Sequence, residues 1–136
     1  MAFELTRQIE NHLVNDHIVW LTTVTPTGRP APRPVWFFWD GTTVVVYSQP
    51  DGAKLKHIAA NDHVSLNFNC TQDGGDIVVL SGRAEVIQGA PLPSGFPEML
   101  DKYRARIEAM GNTQEWYDSY STAIRITPER AWTILG

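Results

Sequence analysis

The residues best equipped for chemistry lie in the segment 48–57, where Lys54, Lys56 and His57 follow the break Gln49-Pro50-Asp51-Gly52. The run after that break, AKLKHIAA, is made of helix formers, with Leu55, Ile58 and Ala59 on one side. A helix beginning there offers free backbone N–H groups and the positive end of its dipole, so the favoured ligand is an anion, a phosphate above all. Cations so close to a helix start oppose the dipole, which is a mild reason to look for a compensating anion. The competing reading makes Lys54 and Lys56 ordinary solvated helix residues.

A second group of residues suits a flat ligand. Pro34-Val35-Trp36-Phe37-Phe38-Trp39 places aromatic rings on both faces of one strand. One face can fill a core while the other presents Trp36 and Phe38, or Phe37 and Trp39, to a ligand or a partner subunit; packing alone would explain the same pattern. A third group, Arg125-Ile126-Thr127-Pro128-Glu129-Arg130-Ala131-Trp132, sets a cation two residues from a tryptophan and hence on the same strand face. A structural edge pair is its plainer explanation.

Other chemistries are excluded by inspection. The sequence holds no Gly-Lys pair for a phosphate loop, no dinucleotide-binding glycine triplet, no His-Glu-x-x-His and no Gly-x-Ser-x-Gly. His12, His17, His57 and His63 fall on different predicted elements without ligand spacing, so no metal site is expected. Cys70 is the only cysteine, which removes an internal disulfide and a cysteine-based zinc cluster.

The elements that must position these residues read as follows. An amphipathic helix over residues 3–14 carries Leu5, Ile9, His12 and Leu13 on one face. A strand follows from His17, alternating Ile18, Trp20, Thr22 and Val24 against Val19, Leu21 and Thr23. Pro26-Thr27-Gly28-Arg29 turns the chain, and Pro30, Pro32 and Pro34 confine the next strand to a sheet edge because each lacks an amide donor. Asp40-Gly41 then predicts a hairpin between the aromatic strand and residues 42–48. After the lysine-bearing helix come strands over 63–70 and 77–87, a linker over 91–97, helices over 98–110 and 114–120, and a last strand over 122–135 interrupted at Thr127-Pro128. This order predicts a mainly β fold with peripheral helices, a six-stranded antiparallel barrel, because successive hairpins exclude a parallel sheet.

Composition bounds the rest. The chain has 136 residues, the size of a single domain spanning 1–136, with 43% hydrophobic and 19% charged residues. Eleven Lys and Arg against fifteen Asp and Glu give a net charge of −4, which opposes nucleic-acid binding. The first residues, MAFELTRQIENH, lack the apolar run of a signal peptide, and no apolar stretch nears the roughly 18 residues of a membrane span. A cytoplasmic location and no membrane partner are expected.

Taken in order, a Thr-Pro-x-Gly-Arg-Pro turn, a Pro-Val-Trp-Phe strand, a Trp-Asp-Gly hairpin, a Tyr-Ser ending with Ala-Lys-x-Lys-His, an Asn-Asp-x-Val strand start, Gly-Arg-Ala-Glu-Val and Thr-Pro-Glu-Arg-x-Trp cover nearly the whole chain. Together they resemble the pyridoxamine 5′-phosphate oxidase-like split β-barrel superfamily, which binds FMN, and within it the small actinobacterial enzymes that use the deazaflavin coenzyme F420. The resemblance implies a six-stranded split barrel and a homodimer with cofactor sites at its interface. By position it implies that Lys54 and Lys56, with His57 beside them, hold the cofactor phosphate, that the backbone of Val35, Trp36 and Phe37 meets the ring, and that Ser48 lines the phosphate end. Relatives often carry Arg-Asn where this chain has Lys56-His57. The implied activity is hydride transfer from reduced F420 to an electron-poor small molecule, with Tyr47, His57 or water as proton source. The alternatives are an FMN-dependent oxidoreductase of the same fold and a non-catalytic carrier of a flavin or tetrapyrrole.

Overall fold

The computed structural model describes residues 3–135. Along the chain come α1 (Arg7–Asn15), β1 (Val19–Val24), β2 (Pro30–Val35), β3 (Phe38–Trp39), β4 (Val44–Ser48) and α2 (Ala53–Ala60). They are followed by β5 (His63–Asn67), β6 (Ile77–Ile87), a 3₁₀ turn (Pro93–Gly95), α3 (Pro97–Met110), α4 (Gln114–Asp118) and β7 (Thr122–Ile134). The first helix starts at Arg7 rather than Phe3 because the Thr6 hydroxyl accepts from the Ile9 N–H at 3.2 Å, an N-cap.

All strands join one antiparallel sheet in the order β2-β1-β5-β6-β7-β4-β3. The sheet has seven strands, not the expected six. The extra strand comes from a break in the aromatic run. β2 pairs with β1, β3 pairs with β4, and these two strands are opposite edges of the sheet, yet only Trp36 and Phe37 separate them in the chain. The three steps from Val35 to Phe38 span at most roughly 10 Å. The sheet must therefore curl until its edges nearly meet, and the covalent chain, not a ladder of hydrogen bonds, bridges the gap. The pattern of alternating residues through 30–39 carries no mark of this crossing.

The proline-bearing strand does lie at an edge, and the Asp40-Gly41 hairpin forms, with Gly41 at φ 98° and the Asp40 carboxylate accepting from the Thr42 and Thr43 N–H groups. The last strand is not interrupted at Thr127-Pro128. It runs through with a bulge: Ser81 faces Arg130 and Gly82 faces Pro128, so Glu129 is the extra residue.

Two apolar clusters result. Ile9, Leu13, Leu21, Phe37, Val44, Val46 and Leu66 fill the curled sheet. Val45, Tyr47, Met99 and Tyr103 form a second cluster, joined by Trp36, Phe38 and Phe96. Strand β4 is buried on both sides because it separates the two. No helix among the described residues is long and apolar enough to cross a membrane.

Candidate functional site

A cavity of about 540 Å³ opens between strand β2 on one side and helices α2, α3 and α4 on the other. Its size falls in the range of small-molecule and cofactor sites. At one end α2 contributes Ala53, Lys54 and His57, facing Thr23, Ala31 and Arg33. At the other, α3 contributes Tyr103, Arg106 and Ile107, and α4 adds Trp116, Tyr117 and Tyr120. Among the described residues no carboxylate side chain lines it, although the whole chain carries a net charge of −4.

Neither Lys54 nor Arg33 is in an ion pair among the described residues. Burial holds the Lys54 ammonium below its usual pKa, and the nearby Arg33 charge pushes it further down. The recorded side-chain hydrogen bond of Arg33 goes only to its neighbour's carbonyl, Pro32 O, at 2.7 Å. An anion between these two groups would relieve both. His57 is fixed beside them by a 2.7 Å hydrogen bond between its Nδ1 and Thr23 Oγ1.

At the other end, Trp36 is stacked on Tyr103 with ring centres 4.4 Å apart and planes 5° from parallel. Trp116 meets Trp36 edge-on at 6.0 Å. The two residues that bridge the sheet edges are held by α3: the Phe37 N–H donates to Tyr103 Oη at 2.8 Å, and Phe37 O accepts from Lys102 Nζ at 3.0 Å. The Tyr103 hydroxyl can donate to His17 O at 2.7 Å or to Phe37 O at 3.0 Å, so it is bonded both as donor and as acceptor. Burial raises its pKa well above the usual tyrosine value, against the opposing pull of the Phe37 backbone. Lys102 also sits 3.6 Å over the Phe37 ring, and burial lowers its pKa to about 8.

Of the residues singled out from sequence, Val35, Trp36, Lys54 and His57 come together in the cavity wall. Lys56 is exposed and does not line it. Phe37 is fully buried, with its ring in the inner core and its backbone polar groups taken by α3. Ser48 is fully buried and donates to Gln49 O at 2.9 Å. It stands directly against Gly52, where a Cβ would lie 2.5 Å from Ser48 Oγ, so close approach explains the glycine before α2. Tyr47 reaches the cavity, but its hydroxyl donates to Pro91 O at 2.7 Å. Trp132 is 58% exposed on the outside of β7.

Arg33, Arg106, Tyr103 and the α4 aromatics were not singled out. A signal existed for one of them: Arg106 stands among Leu100, Tyr103 and Ile107, a cation on the apolar stripe of a helix.

A family model described as pyridoxamine 5′-phosphate oxidase matches residues 5–135. The chain belongs to that oxidase family. Solved structures similar to this family member include an F420 reductase, 21% identical, with a TM-score of 0.69 over 90% of this chain and 94% of that one. HupZ of Group A Streptococcus is 18% identical, covering 95% of this chain and 94% of its own, with a TM-score of 0.67. HutZ, the heme storage protein from Vibrio cholerae, is 15% identical, covering 97% and 96% with a TM-score of 0.64. At these identities the likeness is one of fold. No curated protein matches the sequence. The oxidase-family barrel with its peripheral helices is thus common to a reductase and a heme storage protein, and the fold does not choose between such roles.

Proposed function

We propose that the protein is a cytoplasmic oxidoreductase that binds a deazaflavin of the F420 type in the β2–α2–α3 cavity and uses it to reduce an electron-poor organic molecule. The observation that carries this reading is the cavity lining: Arg33, Lys54 and Arg106 with no carboxylate side chain among the described residues, beside a wall of stacked aromatic rings. Such a lining suits a ligand with an anionic tail and a flat ring. When bound, the deazaflavin would supply the hydride. The F420 reductase among the similar structures supports this cofactor; FMN is the alternative, since both have a phosphate and a planar ring.

In this reading Lys54 and Arg33 hold the phosphate, with Lys56 at the outer edge of the same helix turn. The backbone at Val35 and Trp36 provides the surface for the ring, kept in place by the α3 hydrogen bonds to Phe37. The aromatic wall faces the ring with apolar surface. A proton for the product comes from His57, whose Nδ1 is held by Thr23, or from water, because the Tyr47 hydroxyl is engaged with Pro91. We further propose that the working unit is a homodimer.

A heme carrier is the second reading, favoured by one observation: a histidine on the cavity wall whose Nδ1 is hydrogen-bonded, the arrangement that orients an imidazole for Nε2 ligation. Titration with F420, FMN and heme separates the three. The reductase reading expects tight F420 binding, and Lys54→Ala should weaken it by about 1.5–3 kcal/mol, the value of a hydrogen bond to a charged group. Equal F420 affinity in wild type and Lys54→Ala would sink the phosphate assignment, and a heme complex that loses its Soret shift in His57→Ala would install the carrier instead.

A further inference from the structure

The α2 end of the cavity accounts for one anionic group, but a second cation, exposed and in no ion pair among the described residues, stands at the far end. From Arg33 the chain runs about 10 Å along the extended strand to Trp36. Trp36 is stacked on Tyr103, and Arg106 follows Tyr103 by three residues, hence on the same face of α3 about one turn further on. Both side chains line the cavity. Among the described residues the arginines in ion pairs are Arg83, Arg104 and Arg125, and Arg106 is not one of them. Arg104, on the same helix, is held by Asp101 at 2.5 Å.

The cavity wall that Arg106 shares with α4 also carries aromatic rings. Trp116 stands edge-on to Trp36, with ring centres 6.0 Å apart, and Tyr120 stands edge-on to Trp116 at 5.4 Å. The surfaces left to a ligand there are ring faces and edges, which favour a planar π system, while the guanidinium fork favours a carboxylate held by two parallel hydrogen bonds. We propose that the α3–α4 end of the cavity is a subsite for planar conjugated carboxylates, with Arg106 as the residue that selects the acid over its neutral analogues. That the bound acid is the electron acceptor rests on the reductase reading given above. In that case the deazaflavin would supply a hydride to the β carbon and water a proton to the α carbon, the C=C bond becoming a single bond as two electrons leave the cofactor.

The probe pair is 3-(2-naphthyl)acrylate and its neutral amide, of nearly equal shape, measured by calorimetry on the 136-residue chain without cofactor. Wild type should bind the acid about tenfold more tightly than the amide, the lower end expected of a charge-assisted pair. Arg106→Gln should remove that preference by weakening the acid alone, and Arg106→Lys should restore part of it. Arg104→Gln, which removes the same charge from a position already paired with Asp101, should leave it within twofold. Arg106 is exposed, so these variants fold. Equal binding of acid and amide in wild type, binding of neither, or an Arg106→Gln protein that keeps the preference overturns the proposal. Turnover separates it from the reading beneath it: acid bound through Arg106 but never reduced by reduced F420 removes the reductase and leaves the subsite, whereas neutral acceptors reduced as well as acids remove the subsite and leave the reductase.

Discussion

His12 shows how a single side chain can make the fold respond to pH. It is 7% exposed, and burial alone would lower its pKa, but Nδ1 lies 2.6 Å from Asp16 Oδ2 and Nε2 lies 3.0 Å from Asp76 Oδ1. Asp16 and Asp76 each favour the charged ring, by close contact and by charge. The two carboxylates outweigh burial and hold the imidazole above its ordinary value of 6.5. A base whose folded pKa is raised binds its proton more tightly in the folded state. Its contribution to stability is therefore complete below pH 6.5 and disappears as pH climbs through the raised value. Lys102 has the opposite sign, because its pKa falls to about 8 on folding, so stability returns between there and its ordinary 10.5. Thermal melts between pH 6 and 8 isolate the histidine: wild type should lose stability across that range, and His12→Gln should be flatter. Equal slopes in the two proteins would mean that the carboxylate pair is not what holds the proton.

The legibility of the site also differs residue by residue. Lys54 and His57 could be found because a glycine break followed by helix formers fixes which residues start a helix, and helix starts attract anions. Lys56 belongs to the same motif but points to solvent, since neighbours on a helix are about 100° apart and only one of two alternate residues can face the cavity. Arg106 lies more than 50 residues from Lys54 in sequence, and only the packing of α3 across the sheet edge brings it to the same cavity.

At the scale of elements, turns and edges were legible and crossings were not. Asp40-Gly41 and the three prolines state their structures locally, through a positive φ and missing amide donors. The break at Trp36-Phe37 has no local cause; it exists because the chain passes from one sheet edge to the other, and the freed N–H and carbonyl of Phe37 are satisfied by Tyr103 and Lys102 on α3. The bulge in β7 is likewise a property of two strands together. A Cβ on Gly82 would collide with the carbonyl of Thr127 and crowd Pro128, both backbone atoms that cannot rotate away. Gly82→Ala should therefore destabilise the fold by about 1–3 kcal/mol, as overpacking does. The measurement is the urea midpoint. Gly82 is remote from the cavity lining, so F420 affinity of the folded variant should match wild type; an unchanged midpoint would show that the bulge relaxes freely.

At the scale of the molecule, the charge distribution and the sheet surface point in one direction. The cavity is cationic inside a chain of net charge −4, so an anionic ligand gains from the local field rather than from the whole protein. Outside, the register places Trp20, Asn67, Val79 and Trp132 in one row across four adjacent strands, β1, β5, β6 and β7. Trp132 is 58% exposed and Ile134, on the same strand face, is 43% exposed. A sheet face ending in exposed Trp132 and Ile134 suits a two-fold interface, the same patch serving both copies. If the homodimer forms through it, sedimentation at micromolar concentration should give about twice 15.3 kDa, and Trp132→Glu should give the monomer. Placing two carboxylates face to face across the axis costs several kcal/mol in a desolvated contact. If the proposed F420 site is shared between the two subunits, its affinity should depend on the dimer, and F420 binding by Trp132→Glu should weaken on dilution while that of wild type holds. A monomeric Trp132→Glu with undiminished F420 affinity at every concentration would show each cavity to be complete within one chain, and a variant that remains dimeric would move the interface to another face.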